Sequence, residues 1–149
     1  MAVTSEYLDA LVREFSKLPS IGPKSASRLA FHVLTMTGED VQRLSSLLLA
    51  VKEHIRFCSI CGGITESEIC SICLDEQRDK SSICVLQEPK DLITIENTGQ
   101  YNGQYHVLHG LISPLDGKGP EDIRVNELIE RCKTGTDSII EVILALNPT

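Results

Sequence analysis

The chain has 149 residues, 42% of them apolar, with 14 Lys plus Arg against 21 Asp plus Glu, which excludes a disordered chain and bounds it to one domain or a few small modules. Its purely apolar runs, Leu47 to Val51 among the longest, are far too short to cross a bilayer, and the opening MAVTSEYLDALVREF lacks the basic-then-apolar order of an export signal, so a cytoplasmic location is expected. The net charge of −7 opposes a surface uniformly attractive to nucleic acid, but residues 1–57 carry seven basic and six acidic groups while residues 74–149 carry seven and thirteen, so any nucleic-acid face is expected in the first third.

In chain order, Leu8, Leu11, Val12, Phe15 and Leu18 recur at helical spacing and predict a helix over 5–18 with Ser5 as N-cap. Pro19-Ser20-Ile21-Gly22-Pro23 interrupts it, and Ala26, Leu29, Ala30 and Val33 resume helical spacing until Thr37-Gly38 stops it. A third helix is predicted over 40–55 on Val41, Leu44, Leu48, Val51 and Ile55, capped by the Gly38-Glu39-Asp40 turn, which makes the first 57 residues all helical. After a cysteine cluster and a charged turn from Asp75 to Lys80, strands are predicted at 83–86, 105–108 and 139–146, with helices at 91–96 and 121–132 between them. Strand, helix, strand, helix, strand implies a parallel or mixed sheet. The last strand has no covering helix after it, which reads as a C-terminally truncated chain.

Cys58-x-x-Cys61 and Cys70-x-x-Cys73, eight residues apart, have the spacing with which two pairs clasp one tetrahedral Zn²⁺. So short a stretch buries too little apolar surface to fold alone, and a closed four-thiolate shell makes such an ion structural. The alternatives are four reduced core thiols or a redox dithiol, and the latter needs a CxxC at a helix start beside a sheet. Cys84 and Cys132 read as buried small apolar residues, and His54 as a helix-surface histidine. Gly62 and Gly63 suit the tight turn after the second thiolate, a freedom that Leu74 does not offer after Cys73.

Leu18 to Ala26 joins two helices through a turn that ends at a helix N-terminus, where unpaired amides and a positive dipole end suit a phosphate. Pro23 is preorganised for the first helical position, Lys24 and Arg28 add positive charge one turn apart, and Ile21 can plug the helix pair. Spacing alone leaves an ordinary helix-helix turn with solvated Lys and Arg equally open. The pair Gly117-x-Gly119 is a weak nucleotide-loop signal that leaves Lys118 on a mobile loop, and Tyr101 and Tyr105 are too few for a base-stacking platform.

Five segments carry a resemblance: LPSIGPKSASRLAFHVL, CSICGGITESEICSIC, ICVLQEPKDL, YHVLHGLISPLDGKGPEDI and EVILALNPT. In this order, over essentially the whole length, the sequence resembles the RecR family of bacterial recombination mediators. The resemblance implies an α+β, multi-module chain: a helix-hairpin-helix module over 1–57, a four-cysteine zinc finger over 58–73, a linker over 74–80 and a partial Toprim domain over 81–149. It implies a nucleoid-associated, non-catalytic protein that forms ring-like oligomers clamping DNA, and that acts with RecO and RecF to load recombinase on gapped DNA. Carried over by residue, the DNA contacts are Ile21, Gly22, Lys24 and Arg28, and the ligands of one structural zinc are Cys58, Cys61, Cys70 and Cys73. Similar hairpins usually have glycine where Ser20 stands.

Catalytic Toprim members use a Glu after the first strand and an Asp-x-Asp pair after a later one to hold Mg²⁺. Glu88 matches the first, but Asn147-Pro148-Thr149 stands where the acidic pair is expected, so no primase or topoisomerase activity is expected. The rim containing Glu88 and Asp91 is then a partner face, with RecO its first candidate, or merely a solvated rim. The alternative function is a Mg²⁺-dependent Toprim enzyme acting on nucleic acid.

Overall fold

Helix α1 (Glu6–Ser16) forms where the apolar stripe begins, in a computed structural model that describes residues 5–134 and 139–147. Ser5 occupies the N-cap position but its hydroxyl makes no capping bond; Glu6 and Asp9 instead place negative charge on the positive end of the helix. The helix stops two residues before the expected Leu18, because Lys17 and Leu18 already tighten into the turn, their amides bonding to Glu14 O and Phe15 O at 3.1 Å each. Pro23 opens α2 (Pro23–Val33) behind the N-cap Gly22. Of its residues only Ala26 and Ala30 are fully buried, the small side chains that let α1 and α2 approach closely.

Between these helices Ser20 takes the left-handed conformation, at φ +65°. A side chain there costs roughly 1 kcal/mol relative to glycine. Ser20→Gly is therefore expected to stabilise the helical part by about 1 kcal/mol, read as a higher urea midpoint of the helical circular-dichroism signal; an unchanged midpoint would show that the turn bears no strain.

Helix α3 (Gly38–His54) starts two residues earlier than expected. Its cap is Thr37, whose Oγ1 accepts the Asp40 N–H at 3.1 Å and donates to Asp40 Oδ2 at 2.8 Å, so the Gly38-Glu39-Asp40 turn is already helix. Its apolar positions Leu44, Leu48 and Val51 are exposed rather than buried.

Residues 56–57 are not helical. They form strand β1 (Arg56–Phe57), antiparallel to β2 (Ile64–Thr65), and so frame the cysteine cluster. A short helix α4 (Ser71–Leu74) follows, then β3 (Asp79–Leu86), α5 (Pro89–Glu96), β4 (Gly103–Val107), α6 (Val125–Thr134) and β5 (Glu141–Ala145). Strand β3 begins four residues before the expected Ile83, since its polar start pairs Asp79 with Gly103 across a register shift. The sheet is entirely parallel, in the order β4-β3-β5. The second half of central β3 is a continuous apolar run, and Ile83, Cys84, Val85 and Leu86 are all buried, as two covered faces require. The expected helix over 121–132 is broken, because Ile123 is extended and buried and the Arg124 amide bonds back to Leu108 O at 2.9 Å. Cys84 is buried as expected; Cys132 is exposed, on the outer side of α6.

By contacts the chain forms two units, Met1–Glu53 and His54–Thr149. In the second, the buried cysteines share one core with Leu86, Leu92, Tyr105 and Val107 of the sheet and its helix.

Candidate metal centre and nucleic-acid interface

The spacing of the four cysteines becomes a site through two different turns. After Cys61, Gly62 adopts φ +75°, which closes the Gly62 amide on Cys58 O at 2.9 Å and lets the Gly63 amide donate to Cys61 Sγ at 3.3 Å. After Cys70 the chain enters α4 instead, with the Leu74 amide on Cys70 O at 3.1 Å, so Leu74 needs no left-handed conformation. The Cys70 amide donates to Cys58 Sγ at 3.3 Å. The four sulfurs lie within 4.8 Å of one another, with Cys58 and Cys73 3.9 Å and Cys61 and Cys70 3.5 Å apart.

Tetrahedral zinc, with its sulfurs at about 2.3 Å, sets them about 3.8 Å from one another, so the observed spacing fits. Brought this close, the thiols conflict: the hydrogen bond with Cys70, with burial behind it, pushes Cys61 up to about 12, and contact with Cys61 pushes Cys73 up as well. A divalent cation resolves the conflict by holding all four as thiolates. Cys58, Cys61 and Cys70 are buried and Cys73 is half-buried, and four thiolates fill all four tetrahedral positions, which leaves none open for substrate. The site is that of one structural zinc ion, and all four sulfurs in one cluster leave no separate CxxC for a redox dithiol.

The finger is bonded to the sheet. The Val107 amide donates to Cys61 O at 2.7 Å, Arg124 Nη2 to Ser59 O at 3.2 Å, and His109 Nε2 to Gly62 O at 2.9 Å. A Cβ on Gly62 would collide with the Arg124 guanidinium and meet Val107 O, so this glycine also permits the docking. Phe57 and His109 stack edge to face at 4.3 Å.

Behind this contact lies His106, wholly buried in β4. Its Nε2 donates to Arg124 O at 2.7 Å and its Nδ1 accepts from Arg131 Nη1 at 3.1 Å, partners that select the neutral Nε2–H tautomer. Burial, aided by the Arg131 charge, pushes the imidazole down to about 4. The depressed value means that the unfolded chain binds the proton first as pH falls. His106 thus contributes stability in full above its unfolded value and loses it progressively down to about 4. By pH 5 the loss is about 2 kcal/mol. Comparing urea unfolding at pH 7 and pH 5 for wild type and His106→Gln, the variant is expected to lack that part of the acid sensitivity; equal slopes would show that His106 is not held neutral.

In the helical unit Lys24 and Arg28 are exposed, Gly22 and Pro23 lie at the turn, and Ile21 is half-buried. No side chain caps α2 and its first turn holds no acidic residue. Its ladder begins with the Ala26 amide on Gly22 O at 2.9 Å, so the amides before it point out of the helix end. Ile21, Ser25, Arg28, Leu29 and His32 border a shallow groove beside that end.

Glu88 and Asp91 stand together where α5 starts, but their carboxylates have internal tasks. Asp91 Oδ2 accepts the Glu88 amide at 3.0 Å in a capping box, and Glu88 Oε2 pairs with Lys90 at 2.7 Å. Where β5 ends beside β3, Asn147 Nδ2 donates to Gln87 Oε1 at 3.0 Å; Pro148 and Thr149 lie outside the described residues. Among the described residues the four cysteines are the one cluster of three or more metal-ligating side chains. Lys118 is on a bonded loop rather than a loose one: Ser113 and Lys118 exchange backbone bonds at 3.1 and 2.9 Å. Tyr105 is buried, and half-buried Tyr101 packs on it edge to face. Among the described residues no helix is long and apolar enough to cross a membrane.

Comparison with known proteins divides the chain in the same order. Residues 8–52 match a family model described as RecR, helix-hairpin-helix, residues 55–75 one described as the four-cysteine zinc finger domain of RecR, and residues 81–149 one described as Toprim domain. Recombination protein RecR of Staphylococcus aureus (strain MRSA252) is 52% identical over 143 residues, 96% of this chain and 71% of that protein. The chain belongs to the RecR family. Recombination protein RecR of Acidothermus cellulolyticus is 53% identical over 138 residues, 93% of this chain and 68% of that protein. The zinc centre and the parallel sheet are thus this RecR chain's versions of its matched finger and Toprim regions.

Sequence inspection missed His109 and Arg124, which join the two, and Arg131, which ties α6 to β4. Arg131 falls on a helix with charged neighbours and so reads as surface; only His106 in a predicted strand and His109 just after it hint at a polar seam.

Proposed function

We propose that this RecR chain takes part in recombinational DNA repair as a non-catalytic mediator that binds the DNA backbone through its hairpin. Ile21 and Gly22 place the turn against the strand, the α2 amides and Lys24 and Arg28 receive phosphates, and base sequence is not read. The observation that carries this is the uncapped, acid-free start of α2 flanked by two exposed cations. The zinc finger braces the sheet rather than touching DNA, and the rim at Glu88 and Asp91 serves protein partners. RecO and RecF are the partners that the family resemblance supplies, acting with a ring-like oligomer to load recombinase on gapped DNA in the nucleoid.

Non-catalytic action is supported by two features of the Toprim region. Glu88 is engaged by Lys90, and an amide, Asn147, sits beside Gln87 where an acidic pair would begin. The test is fluorescence anisotropy of a gapped duplex titrated with the zinc-loaded chain. Binding that weakens steeply with salt and ignores sequence is expected; no binding even at low salt would overturn the proposal.

A further inference from the structure

Arg131, near the end of α6, is half-buried, and among the described residues its hydrogen-bond partners include no carboxylate. Its Nη1 donates to Tyr105 O at 2.8 Å and to His106 Nδ1 at 3.1 Å, and its Nη2 to Gln104 Oε1 at 2.8 Å. All three partners are uncharged, and among the described residues no ion pair involves Arg131. Arg78, on the same cavity, is placed differently: its side chain is 8% exposed, but it pairs with Glu96, lies 4.0 Å from Asp75 and stacks on Tyr105. A half-buried guanidinium bonded to uncharged groups is stabilised by an anion nearby.

The cavity bordered by Arg131, Arg78 and Lys80 is lined on the finger side by Ile60, Ile72 and Cys73 and also by Asp75, whose carboxylate lies 4.0 Å from Arg78. Three basic groups suggest a site for a free anion, but the finger already supplies one. Zinc held by four thiolates is a net dianion, which would repel a second anion and attract the guanidinium. Burial pushes the Arg131 guanidinium down, and the sulfurs of Cys73 and Cys61 oppose that push.

We propose that Arg131 is the counter-charge of the zinc tetrathiolate, so that metal loading of the finger and docking of α6 on the sheet form one linked equilibrium. Arg131 does not touch the metal; it is a positioning residue that acts through the charge of the ligand set. Linkage runs both ways. Loss of the cation weakens the hold on zinc, and loss of zinc removes the dianion that Arg131 faces and loosens α6. The inference rests on the zinc centre and is independent of DNA binding.

The test uses the whole zinc-loaded chain, titrated with a chromophoric chelator, as wild type, Arg131→Gln and Arg131→Lys. Arg131→Gln keeps a hydrogen-bonding amide without the charge and is expected to hold zinc about 10- to 100-fold more weakly. Arg131→Lys keeps the charge without the planar fork and is expected to stay close to wild type. Wild-type affinity in Arg131→Gln, or equal weakening in both variants, would overturn the counter-charge role. A measurement on wild type needs no variant to fold: zinc removal is expected to speed hydrogen exchange in Val125–Thr134 as well as in the finger. Unchanged exchange in α6 would overturn the linkage.

Discussion

Cys61→Ser, or stripping zinc with a chelator, is expected to unfold the finger and to destabilise the sheet with it. Structural zinc contributes about 10 kcal/mol or more to small finger domains, and here Cys61 has no solvent exposure and packs in one core with Leu86, Leu92, Tyr105 and Val107. Without the ion, four crowded thiols must protonate, and the Val107 and His109 bonds to Cys61 O and Gly62 O lose the rigid turn that presents those carbonyls. Hydrogen exchange should therefore accelerate in β3 and β4 as well as in 56–74. Helices α1 and α2 belong to the other unit and should keep their protection. A sheet that keeps its full protection after zinc removal would show that the finger is an appendage and not part of that core.

Charge reversal at the hairpin, Lys24→Glu with Arg28→Glu, is expected to weaken DNA binding by at least about 100-fold at low salt, because two phosphate contacts become two repulsions. Both side chains are exposed, so unfolding of the helical unit should be nearly unaffected. An affinity loss accompanied by an equal loss of helical stability would point to misfolding. Unchanged affinity would place the DNA face elsewhere.

The elements most readable from sequence were those governed by local rules. Helical periodicity located α1 and α2, Pro23 marked the start of α2, and CxxC spacing gathered the zinc ligands before any fold was known. What escaped depends on contacts distant in sequence. Arg56 and Phe57 look like the tail of a helix, and only their pairing with Thr65 and Ile64 makes them a strand. The break at Ile123 has no glycine or proline of its own; it arises because Ile123 is buried and Arg124 bonds to Leu108. Cys132 has the residue type of a core position, yet α6 turns it outward while half-burying Arg131. Ser20 shows the opposite case, since its departure from the expected glycine was legible and its positive φ gives the departure a physical meaning.

The most direct test of backbone binding at the hairpin is the salt slope. The association constant of zinc-loaded protein for gapped DNA would be measured over a range of salt concentrations, for wild type and for the Lys24→Glu/Arg28→Glu variant. If Lys24 and Arg28 each neutralise one phosphate, the wild-type logarithmic slope should be steeper by about two. Parallel lines of equal slope would mean that neither cation meets a phosphate, and the hairpin would then be no more than a corner between two helices.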